Sequence, residues 1–419
     1  DAQESRGLGD VYKRQALGLC VDYGMAAKRR AEINAIADAA ALQAVTPVMM
    51  TKSSSEAQSA ATAFFNSQIA SVGGVLYQSD NLNVIVTDGT TNNSTTRSAT
   101  VTYTASSLNS FSGILHRPTI AIGSTSAASA AMPPNIDFYL MLDTSPSMGI
   151  AATQTDINTM VAHTGPQGGC AFACHEYNPS VDKLGNPGGP NQDNYALARA
   201  LGVTLRIDLV KQATQNLMQT AQTTENSNGS VYRMAGYTFD ATVKNPMPLT
   251  ADLTKAQSEA SNIAMQEVWS NNYVTKSNNN SDEDTNFDLA FSTLNSAMPA
   301  PGSGAKNGSP QEVLFIVTDG VSDESWNGNR TYAPFGSSSW CQTIKNRGIR
   351  IAVLYTTYNP LPTNNWYNTY IAGEQPSIAT TAQNCASPGL YFEVNTGGDI
   401  SAAMSSLFQT AVSIAHLTQ

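Results

Sequence analysis

The stretch Ile136-Asp-Phe-Tyr-Leu-Met-Leu-Asp143-Thr-Ser145-Pro-Ser147-Met-Gly149 decides the fold. A mainly apolar and aromatic run stops abruptly at a polar turn that contains proline. Such a run, bounded by a turn signal, predicts a strand buried on both faces of a parallel sheet. Open α/β sheets gather their ligand sites beyond the carboxyl ends of strands of this kind. The Asp143-x-Ser145-x-Ser147 spacing puts one carboxylate and two hydroxyls on a single tight loop. All three are hard oxygen donors of the sort Mg²⁺ or Ca²⁺ prefers.

One loop does not complete an octahedral shell, so further oxygens are expected from other strand ends. Val313-Leu-Phe-Ile-Val-Thr318-Asp319-Gly320 predicts a second buried strand ending in an acid, and Asp282-Glu-Asp-Thr285-Asn-Phe sets a threonine just before a helical pattern. Taken in chain order, Asp143-x-Ser145-x-Ser147, then Thr285, then Thr318-Asp319-Gly320, the three pieces resemble the metal-ion-dependent adhesion site of von Willebrand factor A domains. The resemblance implies a metal set of Asp143, Ser145, Ser147, Thr285 and Asp319. In that family the hydroxyls bind the metal directly, and the aspartates act mostly through water or by orienting the other ligands. Mg²⁺ is the implied cofactor, with Ca²⁺ or Mn²⁺ as alternatives. The expected fold is α/β: a von Willebrand factor A-like, doubly wound, mainly parallel sheet over residues 136–419, preceded by a long N-terminal helix and a small α+β module.

A chain of 419 residues predicts two or three domains. Formal net charge is −10 and only 13% of residues are charged, so no basic stripe is available to neutralise phosphates. That argues against nucleic acid as a partner. Abundant Ser, Thr, Asn and Gln match the composition of many extracytoplasmic proteins. Residues 1–15 fit nothing that follows and resemble a translated junction, so we read them as a non-native leader, with a disordered tail as the alternative. Residues 16–47 predict one continuous helix, rich in Ala and free of Pro until Pro47. Its apolar opening is far short of the roughly 20 residues that span a bilayer. Yet Val21-Asp22-Tyr-Gly, the basic Lys28, Arg29 and Arg30, and Ala37-Asp38-Ala-Ala-Ala-Leu42 resemble the amino-terminal region of TadG-like and TadE-like proteins of Flp (tight adherence) pilus assembly. The resemblance implies a membrane helix ending just before Asp22, its first part missing here. It also implies an inner-membrane or cell-surface location with an extracytoplasmic domain. A soluble amphipathic helix is the alternative.

Residues 48–132 predict the small module. A helix over 54–71 precedes strands at 81–87, 98–104 and 119–123, with 88–97 as a hairpin connection or flexible tip and 124–134 as a linker. In the third region no helix pattern follows Gly149 until residues 195–223, which leaves an insert at 150–194. The insert carries Cys170-Ala-Phe-Ala-Cys174-His175-Glu176. A local Cys170–Cys174 disulfide suits an oxidising compartment. Zinc ligation by Cys170, Cys174, His175 and His163 and covalent haem attachment are the competing readings. TadG-like proteins carry a similar insert, which implies a structural or partner-facing lip. Further strands are expected at 231–239, 313–318, 349–355 and 390–393, with helices at 251–265, 286–297 (opened by Thr285), 340–347 and 399–416. Among five cysteines, Cys341 and Cys385 are the second expected pair, and Cys20 is left over.

Ligation by neutral hydroxyls leaves a divalent cation poorly neutralised, so an external carboxylate gains strongly by filling its open position. The expected ligand is an Asp or Glu of a protein partner, and the Tad resemblance points to pilus or pilus-assembly components. A binding module of another secretion system and a Mg²⁺-dependent, phosphatase-like hydrolase with Asp143 as nucleophile are the alternatives. Against the hydrolase, Ser145 stands where a second acid is usual, the loop has no Lys, and no His has nucleophile-and-base spacing. Asp282, Glu283, Asp284, Asp323 and Glu324 are read either as solvated rim charges or as internal competitors of the partner.

Overall fold

The computed structural model describes residues 2–91, 94–111, 117–176, 193–269, 283–304, 309–327, 329–335, 339–358, 365–395 and 397–417. The chain forms two compact units, Asp1–Met132 and Pro133–Gln419.

The first unit contains α1 (Ala2–Ala44), α2 (Pro47–Met50), α3 (Ser54–Ile69) and strands β1 (Val75–Leu76), β2 (Leu82–Thr91), β3 (Ser94–Leu108) and β4 (Thr119–Ala131). α1 begins at Ala2, so the leader set aside above is helical and not a disordered tail. Ile33, Ala37, Ala40, Ala41 and Ala44 recur at helical spacing and pack on Ala57, Ala61 and Phe65 of α3 and Val84, Val101 and Tyr103 of the sheet. Nearer its start α1 exposes Leu17, Leu19, Val21, Tyr23 and Met25, while Asp22 is buried and accepts the Ser110 and Phe111 N–H groups at 2.7 and 3.0 Å. Residues 88–91 and 94–97 are paired strand rather than a flexible tip, and buried Arg97 ties Asp88 (2.9 Å) to the Lys52 carbonyl (2.9 Å). Most of the expected linker at 124–134 is likewise β4, paired with β3 along its whole length. Its Ser/Ala composition carries no strand signal of its own; the neighbouring strand supplies the preference.

The second unit runs β5 (Ile136–Asp143), α4 (Gln154–His163), α5 (Asn194–Ala200), α6 (Arg206–Asn228), β6 (Tyr232–Phe239), β7 (Val243–Thr250), α7 (Leu253–Glu259), α8 (Phe287–Ala297), β8 (Gln311–Thr318), β9 (Val321–Trp326), β10 (Asn329–Pro334), α9 (Trp340–Asn346), β11 (Arg350–Thr356), α10 (Asn365–Tyr370), α11 (Gln375–Cys385), β12 (Tyr391–Val394) and α12 (Ile400–Leu417). Six strands form one sheet in the order β12-β11-β8-β5-β6-β7, parallel except for β7. β5 lies inside it, and successive side chains enter opposite cores. Phe138, Leu140 and Leu142 meet Leu217 of α6 and Phe408 of α12 on one face. Tyr139 and Met141 lie in the core formed with Leu294 of α8, Ile344 of α9 and Ile378 of α11 on the other. This is the doubly wound, von Willebrand factor A-like α/β architecture expected.

Several element boundaries differ from expectation for local reasons. The helix expected over 195–223 is two helices, parted at Gly202 (φ +68°), and α4 occupies part of the region read as an insert. The helix expected over 251–265 ends at Glu259. α8 is capped by Asn286, whose side chain accepts the Leu289 N–H at 2.8 Å, and not by Thr285. β7 carries Pro246 and Pro248, which remove ladder donors and are tolerated because β7 is an edge strand. A disulfide joins Cys341 at the start of α9 to Cys385 at the end of α11, with a Cα separation of 5.2 Å.

Candidate metal centre

Because β5 is flanked by parallel β6 and β8, three strands deliver their carboxyl ends to one edge. Asp143 is the last residue of β5. Its Oδ1 accepts the Ser145 N–H (3.0 Å) and the Ser145 hydroxyl (2.6 Å), and its Oδ2 accepts the Thr318 hydroxyl from the end of β8 (2.6 Å). Ser145 Oγ lies 2.9 Å from Ser147 Oγ, and the Ser147 side chain is near enough to Asp319 to pull that carboxyl downwards. Asp319 Oδ1 accepts the Val321 N–H at 3.3 Å, and Oδ2 accepts Arg206 Nη1 at 3.3 Å. Asp143, Ser145, Ser147 and Thr318 thus share one network, with Asp319 beside it.

Thr285 reaches the same edge through its backbone. Its N–H and carbonyl pair with Asp323 (3.1 and 3.0 Å), and the next N–H, of Asn286, bonds the Asp240 carbonyl at 3.0 Å. Asp240 follows β6 and accepts the Thr144 hydroxyl at 3.1 Å, one residue from Asp143.

Asp143 and Asp319 are fully buried. Burial first, and then the neighbouring Asp319, push the Asp143 carboxyl well above the usual carboxylate range, against the pull of its hydrogen bonds from Ser145 and Thr318. Burial also raises Asp319, opposed by Arg206 and the Ser147 side chain. Two buried acids side by side are costly to ionise together, and a divalent cation would offset that cost. Hydroxyls and carboxylates are hard donors, so the site's chemistry fits Mg²⁺, Ca²⁺ or Mn²⁺. Gly320 makes the turn beyond Asp319 at φ +81°, where an added Cβ would stand 2.5 Å from Ile378 Cγ2.

Thr318, Thr144, Asp240 and Arg206 join the site beyond the metal-set residues that the sequence pattern marks. Thr318 stood in plain view inside the Thr-Asp-Gly motif. Arg206 gave no signal, lying 113 positions from the acid it binds.

Four of the five neighbouring acids depart from the solvated-rim reading. Asp284 and Asp323 are buried and share Arg330, which donates at 2.6 Å to Asp284 and 2.7 Å to Asp323. Glu283 accepts from Asn286 Nδ2 and the Ser325 N–H, both at 3.0 Å, and Glu324 accepts the Phe287 N–H at 2.9 Å. These four acids fasten the β9–β10 hairpin to the Thr285 segment and are not solvated rim charges. Asp282 lies outside the described residues.

The Cys170–Cys174 disulfide is not formed. The intervening residues are zipped to the exit of the Asp143 loop, with Ala151 N–H on Ala171 O (3.1 Å) and Ala173 N–H on Gly149 O (2.9 Å). Backbone held extended in this way keeps the two cysteines from the Cα separation of about 4.4–6.8 Å that a disulfide needs. Gly149 permits this close approach, since a Cβ there would lie 2.6 Å from Met265 Sδ and 3.0 Å from Ala173 O. The zinc reading is not supported either. His175 is held between Asp193 (3.0 Å) and Glu267 (3.2 Å), His163 bonds the Thr159 carbonyl (2.9 Å), and no group of three or more His, Cys, Asp or Glu side chains suited to a metal occurs among the described residues.

No protein-family model matches the chain, and no curated protein matches it. Among solved structures it is similar to the conserved hypothetical protein BatB from Bacteroides thetaiotaomicron (12% identity, 66% of this chain, 99% of that chain, TM-score 0.34). It is also similar to the vWF domain of the type V pili tip protein Mfa5 from Porphyromonas gingivalis (9%, 67%, 96%, 0.37). A third is proximal thread matrix protein 1 from the mussel byssus with a zinc-occupied MIDAS motif (12%, 67%, 49%, 0.36); this chain spans about half the length of that one. Likeness at these identities and scores carries nothing about function, and the fold assignment rests on the strand order and directions described above.

Proposed function

We propose that this protein is a membrane-tethered, extracytoplasmic component of Flp (tight adherence) pilus assembly or adhesion that binds an acidic side chain of a protein partner through a divalent cation, Mg²⁺ in the first instance. The observation that carries the reading is the hydrogen-bonded network of Asp143, Ser145, Ser147 and Thr318 at the carboxyl edge of the sheet, with the buried Asp319 beside it. Ser145, Ser147 and Thr285 would hold the cation through their hydroxyls, with Asp143 and Asp319 orienting them. Once bound, the cation supplies positive charge at a position that the partner's carboxylate completes. Both Asp143 oxygens are occupied by hydroxyl donors, which suits an orienting role better than nucleophilic attack. The exposed apolar run Leu17 to Met25 supports contact with lipid, although no helix among the described residues is long and apolar enough to cross a membrane.

The test is a pull-down from the native host with and without chelator, comparing the wild-type protein with Ser145→Ala. Capture of pilus components that needs the divalent cation and disappears in the variant supports the reading. Capture that ignores chelator, or survives Ser145→Ala, refutes it.

A further inference from the structure

Arg206 is the first residue of α6 and only 6% exposed. Its Nη1 donates to Asp319 Oδ2 at 3.3 Å, its Nη2 to the Thr357 carbonyl beyond β11 at 2.9 Å, and its backbone N–H to the Ile150 carbonyl at 2.9 Å. The side chain is therefore pinned between Asp319 and the end of a neighbouring strand, and its backbone is tied to the exit of the Asp143 loop. Arginine carries its charge permanently and has no lone pair to offer a metal. A fixed positive charge thus sits in contact with one of the two acids at the candidate metal centre, in a region where charges are weakly screened.

Resting on the metal reading above, we propose that Arg206 is an internal counter-cation that makes divalent binding depend on the partner's carboxylate. While the loop is metal-free, it holds Asp319 in place and offsets one of the two acids. With a divalent cation added and both acids ionised, the centre carries one net positive charge. A carboxylate from outside removes it. The cation alone is therefore opposed, and cation and carboxylate together are favoured. Each raises the affinity of the other by the same factor. Without Arg206 the centre with its cation is already neutral, so the cation binds more tightly and the outside carboxylate contributes less.

The experiment is calorimetric titration of the full chain with Mn²⁺ alone and with Mn²⁺ in excess acetate, for wild type, R206M, R206Q and R206K. Wild type should bind Mn²⁺ about tenfold more tightly in acetate. R206M should bind Mn²⁺ alone about tenfold more tightly than wild type and lose most of the acetate effect, while R206K stays near wild type. R206Q, whose amide can still donate to Asp319 or the Thr357 carbonyl, gives the same readout should R206M fail to fold. Neutral variants that bind Mn²⁺ equally or less tightly, or that keep the full acetate effect, overturn the inference alone. Absence of Mn²⁺ binding in every variant overturns the metal reading with it.

Discussion

Replacing Arg330 with Met tests whether the acid clamp holds the Thr285 segment. Arg330 bridges Asp284 and Asp323, and all three side chains are less than one-tenth exposed. Removing one member of a buried ion pair leaves uncompensated charge and costs about 3–5 kcal/mol. Protonation relieves such a buried charge, so the deficit is largest where the carboxylates are ionised and falls as pH drops. The deficit of R330M should therefore be about 3–5 kcal/mol at pH 7 and shrink towards pH 4. Urea melts of the full chain at both values measure it, and R330M/D323N should recover part of the loss at pH 7. Since Asp323 pairs with the Thr285 backbone, Mn²⁺ affinity should fall in R330M as well. A deficit below about 1 kcal/mol at pH 7, or one equal at both pH values, would refute the reasoning.

Glu312, 1% exposed at the amino end of β8, has neither oxygen hydrogen-bonded among the described residues, and burial followed by Asp137 pushes its pKa up to about 8. Wild type should therefore lose stability between about pH 4.5 and 8, by at most roughly 1.36 kcal/mol per unit. E312Q should be the more stable form at pH 8 and near wild type at pH 5, as thermal melts at the two values will show. Removing the Cys341–Cys385 disulfide, which closes a separation of 44 residues, should cost about 4 kcal/mol on the chain-entropy account; a Cys341→Ser/Cys385→Ser variant that melts like the oxidised wild type would contradict it. Gly320→Ala should lose about 1–3 kcal/mol, because it combines positive φ with a clash at Ile378, and should weaken Mn²⁺ binding through Asp319.

How far the chain could be read depended on the range of the forces involved. The strands β5, β8 and β11 are legible because each holds a mainly apolar run ended by a turn, and two solvent-free faces permit little else. The oxygen donors of the Asp143 loop were legible because Asp143, Ser145 and Ser147 lie within five residues. β4 and β7 were not, since Ser/Ala and proline-bearing segments become strands only beside a partner already in place. Nor were the charges around the site. Arg206 on Asp319 and Arg330 on Asp284 join elements far apart in the chain, and so does the zipper that holds Cys170 and Cys174 apart. Sequence alone determined which segments must be buried and which oxygens stand together on one loop, because those follow from local pattern. Tertiary structure alone decided which buried acid meets which cation, because an ion pair's energy is set by burial and distance in space, and neither is written along the chain.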